Sequence, residues 1–254
     1  MTHSLAENAS SAILMHVNTG KILFEKNMNE RLPPASLTKI MTLLLIFEEL
    51  KEGRIRLTDK VGLSPFARSV RGSKAAIEPE EELSVEDLIK CIVIASANNA
   101  AIGMAEYIAG SCEEFVSMMG KKAGEMNLKN SQFLNPHGLN ETGHYSSAFD
   151  MAILSEELLK GGEILNYSSK YKEIIKKDSK HRLQIVNTNK LLRNHPEIDG
   201  LKTGYTRIAK ACISVTAIRD NNRVLAVVMG EPSRKIRNKE IIAMLGYAWL
   251  QIYG

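Results

Sequence analysis

The chain has 254 residues, of which 44% are hydrophobic and 24% charged, with a formal net charge of +4 at neutral pH. This composition belongs to an ordinary globular protein and excludes a disordered tail, a collagen-like fibre and a disulfide-stapled miniprotein. No stretch reaches the roughly 18 uncharged apolar residues of a membrane-spanning helix, and Met1 to Ser10 contains no apolar export core.

In chain order, the apolar segments Ser11 to His16 and Lys21 to Glu25 flank Asn18-Thr19-Gly20 and predict an opening hairpin. Pro33-Pro34 then halts regular structure. From Ser36 to about Leu50 the pattern predicts a central buried helix, with Ile40, Leu43, Leu44 and Phe47 as its apolar body. Residues 51 to 83 read as loop-rich. Ser84 and Asp87 form a capping-box variant ahead of Val85, Leu88, Ile89, Ile92 and Val93 on one helical face. Further helices are expected near 99–109, 113–125 and 147–160, and an irregular ordered loop from Phe133 to Tyr145.

The tail changes character. Ala211 to Ile218 alternates apolar and small polar residues, predicting a strand with one buried face, whereas Val224 to Met229 predicts a strand covered on both. Arg219-Asp220-Asn221-Asn222 supplies the turn between them, and a last helix runs from about Ser233 to Ile252. Strands at both ends and helices between them imply an α+β fold, its terminal strands joined in one mostly antiparallel sheet. No linker is evident, so residues 1–254 are expected to form a single domain.

Two basic runs stand out, Lys170, Lys172, Lys176, Lys177, Lys180 and Arg182, then Arg234, Lys235, Arg237 and Lys239. No aromatics interleave to stack bases, so they read as solvated faces and no nucleic-acid partner is expected. The charge also suits an anionic cell-surface polymer. Cys91, Cys112 and Cys212 lack a C-x-x-C pair and read as buried thiols, not as a disulfide framework.

Three segments carry chemistry. In Ser36-Leu37-Thr38-Lys39 the hydroxyl and the amine share a helix face, so the amine can serve the hydroxyl as a base. Alone, the pattern fits a helix-capping serine better, and its second copy, Ser169 to Lys172, reads as chance. Ser96-Ala97-Asn98 is a polar break between two apolar helices. Lys202-Thr203-Gly204 precedes the sheet strands and places a cation and a hydroxyl on an edge strand, where Gly204 lets a substrate backbone lie alongside.

S-x-x-K, S-D-N and K-T-G are the signature of class A β-lactamases and penicillin-binding proteins, and this chain has S-x-x-K, S-x-N and K-T-G in that order. The matching stretches extend well beyond them. They are Pro33 to Thr42, Ser96 to Ala101, Asn135-Pro136-His137-Gly138-Leu139, Gly143-His144-Tyr145-Ser146 and Asp199 to Thr206. Over about residues 8 to 250 the chain resembles the low-molecular-mass penicillin-binding proteins that are serine-type D-alanyl-D-alanine carboxypeptidases.

The resemblance implies a β-lactamase/transpeptidase-like fold. It makes Ser36 the nucleophile on a D-alanyl-D-alanine bond, Lys39 its base, Ser96 the proton relay and Asn98 the group orienting Lys39. A lysine neutral at pH 7 needs its pKa lowered by roughly three units, about 4 kcal/mol, which burial and Lys202 can supply. The N–H groups of Ser36 and Tyr205 would form the oxyanion hole, and Thr203 and Arg237 would hold the terminal carboxylate. Lys202, Thr203, Gly204, Tyr205 and Arg237 are thus the implied substrate-binding set.

The implied partners are peptidoglycan stem peptides and, as covalent inhibitors, β-lactam antibiotics. No metal or organic cofactor is expected. The implied setting is the outer face of the bacterial cytoplasmic membrane, with membrane contact only through a segment absent from this chain. Two departures are visible. Lys210 stands where the family usually has Gly, and the family's β-rich C-terminal domain and anchor are not expected here.

A class A β-lactamase needs a glutamate in E-x-x-L-N, and Gly162 takes its place before Leu165-Asn166. A non-catalytic wall-binding module would not need the intact Ser36, Lys39, Ser96, Asn98 and Lys202. A zinc peptidase lacks H-E-x-x-H, so His137 and His144 read as loop-ordering groups, and no G-x-S-x-G elbow supports a Ser-His-Asp hydrolase.

Overall fold

A computed structural model describes residues 5–175 and 182–254. Strands β1 (Ser11–His16) and β2 (Lys21–Lys26) form the expected hairpin. A 3-10 turn, Ala35–Thr38, leads directly into α1 (Lys39–Lys51), so the expected helix begins with a tighter turn at Ser36. Residues 52–84 hold only the short β3 (Lys60–Gly62), α2 (Pro65–Ser69) and β4 (Glu82–Ser84).

Four helices follow: α3 (Val85–Val93), α4 (Asn98–Ala109), α5 (Cys112–Glu125) and α6 (Ala148–Lys160). Three of their caps are written in the sequence. In α3, α5 and α6, Ser84, Ser111 and Ser147 each accept a hydrogen bond from the backbone N–H three residues on, with an acidic residue in the first turn; α4, after Ala97, has neither.

After α7 (Leu165–Ser168) comes a hairpin, β5 (Lys172–Ile175) with β6 (Leu183–Val186). It lies in the lysine-rich run and was not expected; Lys176, Lys177 and Lys180 of that run fall outside the described residues. The chain closes with β7 (Ile198–Thr206), β8 (Lys210–Arg219), β9 (Asn222–Glu231) and α8 (Arg234–Tyr253).

The main sheet is antiparallel throughout, in the order β2-β1-β9-β8-β7. The first two strands of the chain thus pair with the last strands, as the α+β expectation required. Alternation along β9 sends Val224, Ala226 and Val228 toward Ile241, Met244, Leu245 and Ala248 of α8. Leu225, Val227 and Met229 join the larger core on the opposite face, with α1, α3, α4 and α6. α1 is buried nearly all round, the environment in which a helix needs no polar face.

One expectation fails here. β8 is buried on both faces from Ala211 to Ala217. Its small polar side is covered as well, because those groups find partners: Ser214 Oγ lies 2.8 Å from Ser155 Oγ of α6, and Thr216 Oγ1 accepts from Arg223 at 2.6 Å. Satisfied hydroxyls are buried at little cost. No disulfide joins the cysteines; Cys91 and Cys212 are buried, and Cys112, at the head of α5, is only half-buried.

Candidate active site

The 3-10 turn decides how Ser36 meets Lys39. Side chains three residues apart eclipse in such a turn, and Lys39 Nζ lies 3.1 Å from Ser36 Oγ. Ser36 caps nothing, since neither the turn nor α1 has a side-chain cap. Ala35, just before it, sits at φ 49°, in the left-handed region that costs a non-glycine residue roughly 1–2 kcal/mol. Ser96 is likewise left-handed, at φ 59°, so strain brackets the cleft on two sides.

Lys39 is fully buried and has two further partners, Asn98 Oδ1 and the His137 carbonyl oxygen, each at 2.7 Å. Both are oxygens that can only accept. They take two N–H bonds, which leaves the third direction, toward Ser36, for the lone pair of a neutral amine. Burial, and after it the charge of Lys202, holds Lys39 well below the ordinary lysine range. The arrangement can therefore remove a proton from Ser36 Oγ.

Asn98 is braced from outside the helical core. Its Nδ2 donates to Arg71 O at 2.7 Å and its backbone N–H to Ser73 O at 2.7 Å. Across the cleft, Lys202 Nζ donates to Ser96 Oγ at 2.8 Å and to Thr203 O at 3.2 Å. Burial and the neighbouring Arg237 lower Lys202 to about 7. The sheet and the turn between α3 and α4 thus meet through these two side chains.

The edge position expected for Lys202-Thr203-Gly204 is found, since β7 is the last strand of the sheet. Gly204 has a further use besides the one expected. A Cβ there would lie 3.0 Å from Ser36 N and 3.0 Å from Ala35 Cβ. The glycine lets β7 press against the 3-10 turn and brings the Gly204-Tyr205 backbone beside the Ser36 N–H. The Thr203 hydroxyl donates to Thr188 Oγ1 at 2.8 Å.

The cleft, of about 380 Å³, is lined by Ser36, Ser96, Asn98, Thr203, Tyr205 and Arg237 among others. Arg237 is 3% exposed. Its Nη1 donates to Cys212 O at 3.2 Å, and its Nε and Nη2 donate to Asn238 Oδ1. Tyr205 is half-exposed, with the Arg234 guanidinium 4.6 Å above its ring. All nine sequence-predicted site residues lie in or directly behind this one cleft.

The loop of residues 133–145 supplies what sequence reasoning missed. A Cβ on Gly138, at φ 84°, would meet the Ala35 carbonyl oxygen at 1.8 Å, so only glycine allows the loop this close to the turn. His144 Nδ1 accepts from Leu134 N–H, so in the neutral ring Nε2 carries the proton and donates to Thr38 Oγ1 at 2.8 Å. Burial lowers His144 to about 4; burial and then Lys39 and His144 lower His137 to about 3. Both histidines order the loop, as expected. The His137 carbonyl on Lys39 and the Arg71 and Ser73 carbonyls on Asn98 had no side-chain signature to betray them, and the Thr188 hydroxyl belongs to no motif in the sequence.

The family model of peptidase S11, D-alanyl-D-alanine carboxypeptidase, matches residues 1–233. The D-alanyl-D-alanine carboxypeptidase DacF of Bacillus subtilis is 49% identical over 250 residues, covering 98% of this chain and 64% of that protein. The D-alanyl-D-alanine carboxypeptidase DacC of Escherichia coli is 35% identical, covering 95% and 61%. The chain thus spans less than two thirds of the length of these relatives. Penicillin binding protein 5 from Haemophilus influenzae has a solved structure similar at a TM-score of 0.91, with 33% identity over 98% of this chain and 72% of that one. Penicillin-binding protein D2 from Listeria monocytogenes, in its ampicillin-bound form, is similar at a TM-score of 0.86, with 27% identity over 97% and 99%. On a match that takes in almost the whole chain, this protein belongs to the S11 family of D-alanyl-D-alanine carboxypeptidases.

Proposed function

We propose that the protein is a serine-type D-alanyl-D-alanine carboxypeptidase that trims the terminal D-alanine from peptidoglycan stem peptides and is acylated by β-lactams. The observation that carries this reading is the Lys39 amine, buried, held by two carbonyl oxygens at 2.7 Å and 3.1 Å from Ser36 Oγ. The site draws on residues from Ser36 to Arg237, so the 254 residues act as one catalytic domain. A peptidoglycan substrate is what supports an action outside the cytoplasmic membrane; among the described residues no helix is long and apolar enough to cross one.

Ser36 Oγ attacks the penultimate D-alanine carbonyl while its proton passes to Lys39 Nζ. The oxyanion forms against the N–H groups of Ser36 and Tyr205, aligned by the close approach at Gly204. Ser96, held by Lys202, passes a proton to the departing amine, and Thr203 and Arg237 hold the terminal carboxylate. Water then frees the acyl-enzyme. Intact mass spectrometry with penicillin tests the reading directly. One adduct per chain is expected on the native protein and none on Ser36→Ala, together with D-alanine release from a peptide ending in D-Ala-D-Ala. An adduct that persists on Ser36→Ala removes the nucleophile.

A further inference from the structure

Glu231 closes β9 at the entrance to α8, and its place there is chemically odd. Its side chain has no exposed surface, and neither carboxylate oxygen has a hydrogen-bond partner among the described residues. A buried carboxyl in that state needs either a compensating charge or a proton of its own. Glu231 stands opposite Ala211 of β8, and the carbonyl of the next residue, Cys212, receives Arg237 Nη1. Glu231 and Arg237 therefore lie near the same end of β8, without a salt bridge between them among the described residues.

The groups that bear on Glu231 come from three elements: Glu240 and Arg237 of α8, Lys26 of β2 and the Cys212 thiol of β8. The thiol is pushed up to about 11, mainly by burial, and stays protonated. Arg237, for its part, donates to the neutral Asn238 and to a carbonyl, with no carboxylate at ion-pair distance among the described residues. The carboxylate that bears on it is Glu231.

We propose that Glu231 is the counter-charge of Arg237 and takes up a proton when the substrate's terminal carboxylate docks on that guanidinium. This rests on the reading of Arg237 given above. Two carboxylates near one buried guanidinium cannot both stay ionised at low cost. The balance is at most one proton from solvent onto a Glu231 oxygen for each carboxylate bound, approached where Glu231 starts ionised, and no other bond changes. Burial and Glu240 already raise Glu231 to about 7, against the pull of Lys26 and Arg237, so the exchange falls in the neutral range. Binding that takes up a proton weakens as pH rises. Glu231 touches no substrate; it is a positioning residue that sets how strongly Arg237 holds an anion.

The test is calorimetric titration of the Ser36→Ala protein with an N-acetylated tripeptide ending in D-Ala-D-Ala. It is run at pH 7 and 8 in two buffers of different ionisation heat, with the C-terminal amide as control. Lys202 also titrates near 7, so the reading is by difference, against Ser36→Ala/Glu231→Gln and Ser36→Ala/Glu231→Met, with melting curves to show that each is folded. Proton uptake should fall in both variants, and the loss of affinity toward pH 8, up to about tenfold in the parent, should flatten. Equal uptake and parallel pH dependence in parent and variants would overturn the proposal. A separate arm, Ser36→Ala/Arg237→Gln, isolates the underlying reading: unchanged affinity there sinks the Arg237 assignment itself, whatever Glu231 does.

Discussion

Lys202 Nζ lies 2.8 Å from Ser96 Oγ, a contact that ties the edge strand β7 to the turn between α3 and α4. After burial, the charge of the same Lys202 is what depresses Lys39. One side chain thus holds Ser96, the proposed proton relay, and helps to keep Lys39, the proposed base, neutral.

Replacing it by Lys202→Met removes the charge that disfavours protonated Lys39. The pKa of Lys39 should rise, though burial keeps it below the ordinary range. The acid limb of penicillin acylation should move to higher pH by about a unit, beside a loss of about tenfold or more in the rate at its optimum. Stopped-flow acylation across pH 5 to 9 checks both. An unmoved acid limb would show that Lys202 does not set the state of the base.

Lys39→Met separates activity from stability. The folded lysine binds its proton more weakly than the unfolded one. Folding therefore releases a proton below the ordinary lysine pKa, and stability rises with pH through the neutral range. Methionine fills similar space without that cost, so the variant should melt higher at pH 7 while acylation falls by about 10³ or more. A gain of 1 kcal/mol would appear as roughly 2–4 °C. Melting curves at pH 6 and 9 should show the difference between variant and parent narrowing as pH rises.

Gly138→Ala tests the seating of the loop on the nucleophile's turn. The added methyl would collide with the Ala35 carbonyl oxygen and demand a side chain at φ 84°. A loss of about 2–4 kcal/mol in denaturant titration is expected. Acylation should fall with it, since any retreat of the loop carries the His137 carbonyl away from Lys39.

Lys210→Gly addresses the departure noticed in the sequence. Lys210 sits at φ 57°, so the turn keeps a glycine-like backbone although it carries a side chain. Glycine relieves a left-handed penalty of roughly 1–2 kcal/mol but costs roughly 0.5–1 kcal/mol of unfolded-state entropy. A net gain of about 0.5–1 kcal/mol, with acylation unchanged within about twofold, is the expected result of chemical denaturation and kinetic assay.

Much of this molecule was legible before any coordinates. The hairpin at Ser11, the capped helices after Ser84 and Ser147 and the strands after Ala211 follow from local pattern, because burial and capping leave their mark on side-chain type. Ser36, Lys39, Ser96, Asn98 and Lys202 were legible as side-chain types, but local pattern alone did not give their roles; those, and Arg237 altogether, followed from the resemblance of the motifs and their order. What only the tertiary structure decided was main-chain and environmental. Which carbonyl oxygens face Lys39, how near Gly204 and Gly138 bring their segments to the turn at Ser36, and whether the polar side of β8 is covered depend on contacts between distant segments. Every residue carries the same carbonyl, so no residue letter announces which one is pointed at an amine. The solitary Glu231 is the extreme case, since its chemistry is set by the groups packed around it and not by its position in the chain.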